Sequence, residues 1–417
     1  MKIALVNYRY FVSGGPERYY FNVKELLEKN GHEVVPFSVK SARNADAGPY
    51  GKYFLDIVDD EIYFAKARKK SLRVVLKSFS RMFYSLEAKR KFGQLLDDAK
   101  PDIVYIMHFH NKISPSIVDA ARVRNIPVVH RISDFQYMCP NALFYNDRTG
   151  VCEDCLKGRP ASCLKNKCVL GSTVYSGIKL AAKWFHDATG VAKKIDAFVV
   201  PSEFTMGKLE EYGIPSDRLH HIPTFFNLRE KDPEVEYRPF FLFVGRIEKP
   251  KGLMTLVDAF AGTEHSLKII GFSNDGYEDE LKAHLQGRPH HIEFLGRKTF
   301  PEIVPYLKSC LCTIVPSEWY DNFPNVVLES YAFKKAVIAT DFGSLKSMVQ
   351  DGRTGLLFKY KDAEDLRRKV AAMSGNPGEA RRMGLAAYRQ IEGEYSPQVH
   401  YGKLMDLFRS VLSGKKA

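Results

Sequence analysis

Short apolar runs, each followed by a turn and then by a stretch of helical periodicity, recur along the whole chain. Ile3–Val6 reads as a buried strand, Ser13-Gly14-Gly15-Pro16 as a turn, and Glu17–Lys29 as a helix stopped by Asn30-Gly31. Val34–Val39, Ile103–Met107, Val128–His130 and Ala197–Val200 repeat the strand signal, with helical stretches between them. This alternation predicts a parallel sheet covered by helices on both faces. After a Pro- and charge-rich stretch the pattern starts again, with strands at Phe240–Val244, Leu267–Ile270, Ile292–Leu295, Leu311–Val315, Ala336–Ala339 and Gly355–Phe358. The reading is therefore α/β: two doubly wound, Rossmann-like domains facing across a cleft. The boundaries are 1–222 for the first domain, 223–239 for a linker, 240–395 for the second, and 396–417 for a C-terminal helix expected to pack back on the first domain. Ligands of such sheets bind beyond the carboxyl ends of the strands, so the cleft is the expected site.

Composition changes this picture little and charge somewhat more. The 417 residues are 45% hydrophobic and 27% charged, a globular balance that excludes disorder. Lys and Arg number 62 against 49 Asp and Glu, and the net +13 favours phosphate-bearing partners. The first apolar run is broken by Asn7 and Arg9 and no run reaches the length of a membrane span, so a cytoplasmic location is expected. Seven cysteines without a secretory signal fit a reducing compartment.

Two segments carry chemistry. In Phe243-Val244-Gly245-Arg246-Ile247-Glu248-Lys249-Pro250-Lys251-Gly252, Gly245 lets the chain leave a strand tightly while Arg246 and Lys251 can converge on an anion. In Val315–Glu329, Pro324 suits the first turn of a helix whose amides at Asn325, Val326 and Val327 would face an anion. Asp321 precedes that helix and Glu329 lies within it, suited to sugar and ribose hydroxyls.

Together these segments resemble glycosyltransferase family 4, the retaining family with the GT-B fold. The likeness extends to Ser13-Gly14-Gly15-Pro16-Glu17-Arg18, Lys100-Pro101-Asp102-Ile103-Val104, Val200-Pro201-Ser202-Glu203-Phe204, Thr340-Asp341-Phe342-Gly343-Ser344 and Asp351-Gly352-Arg353-Thr354-Gly355-Leu356-Leu357. The resemblance implies that Arg246 and Lys251 hold the distal phosphate of a nucleotide-sugar donor and Glu329 its ribose, with Gly15 and the amides of Asn325, Val326 and Val327 completing the donor site. Asp321 falls where the family has the first Glu of a Glu-x7-Glu pair, and Asp134 falls where it has a His-Asp pair, here Ser133-Asp134. Relatives often carry His at the positions of Tyr105 and Met107, whereas this chain has His108 and His110. The implied reaction is metal-independent hexosyl transfer with retention, needing no cofactor, from UDP or GDP sugar to a glycan or lipid-linked acceptor of cell-surface polysaccharide synthesis. A GT-B epimerase or phosphorylase and a basic nucleic-acid-binding protein are the alternatives. The former fit the paired segments less well, and the latter lacks a reading motif.

Two further stretches stand out. Residues 66–91 hold ten Lys or Arg and one acid, Glu87. As one helix they would place Leu72, Val75, Leu76, Phe79, Phe83 and Leu86 on one face and Lys66, Lys70, Arg73, Lys77 and Arg81 on the other, suiting peripheral contact with an anionic membrane as well as packing on the first domain. Cys152-x2-Cys155 and Cys163-x4-Cys168 have spacings used by structural zinc, although the gap between the pairs is short for a ribbon and free thiols are the competing reading.

Overall fold

In a computed structural model, which describes residues 1–56, 72–228 and 230–414 (the side chains of Leu72 and Arg73 excepted), the apolar runs form two six-stranded parallel sheets. In chain order the strands are β1 (Lys2–Val6), β2 (Glu33–Phe37), β3 (Ile103–Ile106), β4 (Val128–Arg131), β5 (Tyr145–Asn146), β6 (Gly150–Val151), β7 (Ala197–Val200), β8 (Leu219–His221), β9 (Phe240–Val244), β10 (Ser266–Ile270), β11 (His291–Phe294), β12 (Cys312–Val315), β13 (Val337–Thr340) and β14 (Gly355–Phe358). The first sheet runs β2-β1-β3-β4-β7-β8 and the second β11-β10-β9-β12-β13-β14, while β5 and β6 form a separate hairpin. Helices cover both faces, which is why the central strands are unbroken apolar runs: Ile103–Ile106 and Val337–Ile338 are fully buried.

Three local readings change. The strand expected over Val34–Val39 ends at Phe37, and Val39 makes only an isolated bridge to Leu55. β8 was not anticipated, since Leu219-His220-His221 is short and polar. Residues 66–91 do not form one helix: among the described residues the chain is helical over Leu72–Phe83, breaks, and restarts over Leu86–Ala99 with the Ser85 hydroxyl accepting the Ala88 amide. The two faces expected of a single helix are therefore not continuous. Arg81, expected on the solvated face, is buried and donates to the Asp56 carbonyl, because Glu87 of the second helix and the chain at Asp56 turn toward it. Leu76 and Leu86 are exposed instead. Lys66 and Lys70 lie outside the described residues.

The connection after β8 joins the two cores. Ile222 and Phe225 pack with the first domain, while Phe226 and Leu228 lie against the second. The last helix, Pro397–Leu412, returns to the first domain, where Leu404 and Phe408 enter its core and the Tyr105 and Phe408 rings meet edge to face.

This return buries His400 between the Tyr19 hydroxyl (3.1 Å) and the Pro223 carbonyl, to which Nδ1 donates (2.8 Å). Burial pushes its pKa down to about 3, as it does that of His130. Both are uncharged when folded and take up a proton on unfolding. Their contribution is intact above the ordinary value of 6.5 and declines as pH falls toward 3. The melting temperature is expected to drop already between pH 6.5 and 4.5, before most carboxylates titrate, and His400→Gln should flatten that slope in a calorimetric pH series.

Candidate active site

The carboxyl ends of both sheets face one another, and the loops leaving them enclose a cavity of about 450 Å³. On the first domain's side, β1 leads into the helix Gly15–Lys29, and β4 ends in Arg131, followed by Ser133 and Asp134. Gly15 sits so close to the second domain that a Cβ there would stand 2.5 Å from the side-chain Nδ2 of Asn325. On the other side β9 delivers Arg246 and Lys251, and β12 delivers Trp319, Asp321 and the helix Asn325–Ala332. Gly252 closes the first of these loops at φ +70°, and a Cβ there would lie 1.8 Å from the Pro316 carbonyl oxygen, so only glycine lets the two loops meet.

The charged groups come in ordered pairs. Lys251 donates to Asp321 Oδ1 at 2.7 Å, and the Ser317 hydroxyl donates to Oδ2 at 2.5 Å. Asp321 is only 9% exposed, so these bonds hold its carboxylate in one orientation at the cavity wall. Arg246, half-exposed, pairs with Glu248 at 2.7 Å. Glu329 is buried and receives Arg18 from the opposite domain at 2.7 Å. That contact crosses the cleft, as do the bonds from Asn322 to the Ile132 carbonyl (3.0 Å) and from the Thr205 hydroxyl to Asn322 (2.7 Å).

Gly15, Asp134, Arg246, Lys251, Asp321, Asn325, Val326 and Glu329 thus line one cavity. Val327 does not: it is buried, and its amide donates to the Pro324 carbonyl, which corrects the expectation of a third amide available to an anion. Asp134 takes the Gln136 amide on one oxygen and faces His108 at 3.6 Å on the other. Desolvation lowers the His108 pKa against the pull of Asp134. His110 stacks on Phe109 in the interior, where burial holds it well below the usual histidine range. Of the two histidines that the sequence offered, His108 is therefore the one beside the cleft. Arg18, Arg131 and Trp319 are cavity residues to which the sequence assigned no role, although Arg18 and Trp319 lie within its motifs and Arg131 directly precedes Ile132-Ser133-Asp134.

The cysteine loop stands beside the cavity without lining it. Among the described residues no group of three or more His, Cys, Asp or Glu side chains is arranged to hold a metal ion, and Cys152, Cys155, Cys163 and Cys168, whose spacing suggested either zinc or free thiols, form no disulfide. All four are free thiols, with Cys163 beside Cys155 and Cys168 and Cys152 turned to the Asp154 amide. Between them, Glu153 pairs with Lys208 at 2.8 Å and accepts from the Tyr320 hydroxyl at 3.0 Å, which ties this loop to a cavity-lining segment of the second domain.

Two facing Rossmann-like sheets with cations and carboxylates gathered at their carboxyl ends define a GT-B enzyme architecture. The chain matches the family models described as "Glycosyl transferase 4-like domain" over residues 14–224 and "Glycosyl transferases group 1" over 224–390. It belongs to the family 4-type glycosyltransferases. It is 24% identical to the phosphatidyl-myo-inositol mannosyltransferase of Mycobacterium leprae over 100% of this chain and 99% of that one. Other curated relatives match over less, the chain spanning 38% to 48% of their length. Among solved structures, sucrose-phosphate synthase from Thermosynechococcus elongatus aligns at TM-score 0.69 and 17% identity over 99% of this chain and 100% of that one. The HepE protein of Anabaena in complex with UDP aligns at 0.62 and 13% over 98% and 100%. At these identities the structures show the shared fold.

Proposed function

We propose that this glycosyltransferase takes a sugar from a nucleotide diphosphate bound in the cleft and passes it, with retention, to a glycan or lipid-linked acceptor in cell-surface polysaccharide synthesis. The observation that carries the reading is the convergence of Arg246, Lys251, Asp321 and Glu329 on one cavity between the domains. In this account Arg246 and Lys251 stabilise the departing diphosphate, Glu329 accepts from the ribose hydroxyls, and Asp321 and Asp134 contact the transferred sugar. The acceptor hydroxyl attacks from the face that the diphosphate is leaving, and a phosphate oxygen takes its proton. UDP in the HepE complex and the lipid acceptor named in the mycobacterial mannosyltransferase support the donor and acceptor classes.

Two cations and the amides at the start of Asn325–Ala332 are sufficient counter-charge for a diphosphate, so no catalytic metal is invoked. Initial rates with the preferred nucleotide sugar should be nearly unchanged by EDTA. Strict dependence on Mg2+ or Mn2+ would contradict this charge arrangement.

A peripheral site on the inner face of the cytoplasmic membrane is part of the proposal. No helix among the described residues is long and apolar enough to cross a bilayer. Leu76 and Leu86 are exposed beside the basic stretch, and each accessible basic residue near an anionic surface contributes roughly 1 kcal/mol. Changing Lys66, Lys70, Arg73 and Lys77 to Gln should release the protein from phosphatidylserine-containing vesicles in sedimentation, whereas Arg81, being buried, is left in place. Unchanged binding of the fourfold variant would exclude this surface.

A further inference from the structure

Four cations line the cavity, and three of them have carboxylate partners: Arg18 with Glu329, Arg246 with Glu248 and Lys251 with Asp321. The fourth, Arg131, has none among the described residues, although it is the most deeply placed, only 6% exposed. Asp134, the carboxylate nearest in sequence, is turned to His108 and the Gln136 amide. A buried guanidinium without a counter-charge is unfavourable unless something else compensates it. Here the Ser133 hydroxyl (3.0 Å) and the Thr224 hydroxyl (2.8 Å) accept from its two terminal nitrogens, and the Tyr19 ring lies 3.9 Å below its central carbon. Its Nε is buried without a partner among the described residues. These neutral contacts fix the planar fork at the end of β4 and leave its charge unanswered.

Resting on the donor reading above, we infer that Arg131 forms a second anion subsite in the cleft, on the wall opposite Arg246 and Lys251, and reads a carboxylate or phosphate on the substrate that meets the diphosphate there. Such a group has two sources: a carboxylate on the transferred sugar, as in a uronic acid, or a phosphate on the acceptor. A planar, permanently charged fork held by two hydroxyls suits either oxyanion and gives a neutral hydroxyl less. The subsite therefore sets specificity and is distinct from the leaving-group site. The competing role is that of a strut, with the bond to Thr224 merely fastening the interdomain connection to β4.

Calorimetry on the full chain separates these. In one arm UDP-glucuronate is compared with UDP-glucose, and GDP-mannuronate with GDP-mannose. In the other, glycerol 3-phosphate is compared with glycerol, each titrated into protein saturated with UDP or GDP. The wild type should favour the anionic probe at least tenfold in one arm, and that arm identifies the source. Arg131→Met should remove the preference while leaving affinity for the nucleoside diphosphate within threefold, and Arg131→Lys should retain part of it. If Arg131→Met does not fold, Arg131→Lys decides, since a strut need not distinguish carboxylate from hydroxyl. Equal binding of charged and neutral probes by the wild type, or a preference that survives Arg131→Met, would overturn the subsite. So would a tenfold loss of nucleoside diphosphate affinity in that variant. Failure of the wild type to bind any nucleotide would remove the functional reading itself, whereas nucleotide binding without anion preference removes only this inference.

Discussion

Truncating Arg246 or Lys251 to alanine is expected to lower turnover by roughly a hundredfold to a thousandfold, the loss that follows removal of one preorganised donor to a developing negative charge. Affinity for the donor should fall less, because the diphosphate, already dianionic in the donor, gains further charge as the glycosidic bond breaks. The two variants differ in one respect. Arg246 is half-exposed and pairs with Glu248, so its removal leaves no buried charge. Lys251 neutralises Asp321, which is 9% exposed, and Lys251→Ala strands that carboxylate with only Ser317 to serve it. Lys251→Ala should therefore also lower the melting temperature. The pair Lys251→Ala with Asp321→Asn should restore the melting temperature without restoring turnover. Near wild-type transfer by a folded Arg246→Ala protein would remove the residue from the reaction.

Glu329→Gln should act on binding instead. The carboxylate is buried, with Oε1 taken by Arg18. A carboxylate has further acceptor positions, which the ribose hydroxyls would use. Loss of a hydrogen bond to a charged group costs about 1.5–3 kcal/mol, so nucleoside diphosphate affinity should weaken on the order of tenfold to a hundredfold. Turnover at saturating donor should change little, since the ribose gains no charge during transfer. Arg18→Met, which keeps the Glu329 side chain but removes its anchor, should weaken binding by a smaller factor. A Glu329→Gln protein that binds UDP and GDP as the wild type does, measured by calorimetry, would contradict this role.

The parts of the fold legible in the sequence are those set by burial. Strands covered on both faces must be unbroken apolar runs, and Phe240–Val244 and Gly355–Phe358 have the bounds read from sequence. β8 escaped because its three residues include two histidines at a sheet edge. The break between Leu72–Phe83 and Leu86–Ala99 had a local signal, the serine cap at Ser85, but ten basic residues with apolar spacing suggested continuity. Within the site, Arg246, Lys251, Asp321 and Glu329 were legible because each lies in a motif that follows a strand. Their partners were harder to read. Arg18 meets Glu329 from the other domain, and Arg131 is a cleft residue only because β4 ends there, neither of which follows from spacing. For Cys152, Cys155, Cys163 and Cys168 spacing alone left zinc and free thiols both open, because it does not fix how the side chains turn toward one another.

The central claim, that the interdomain cavity is the nucleotide-sugar site, is tested most directly by hydrogen exchange of the wild-type protein with and without UDP, GDP and their sugars. Bound donor should slow exchange of amides in 14–18, 245–252 and 319–329, three of the segments that converge on the cavity from both domains. Binding that protects other segments and leaves these three unchanged would contradict the account.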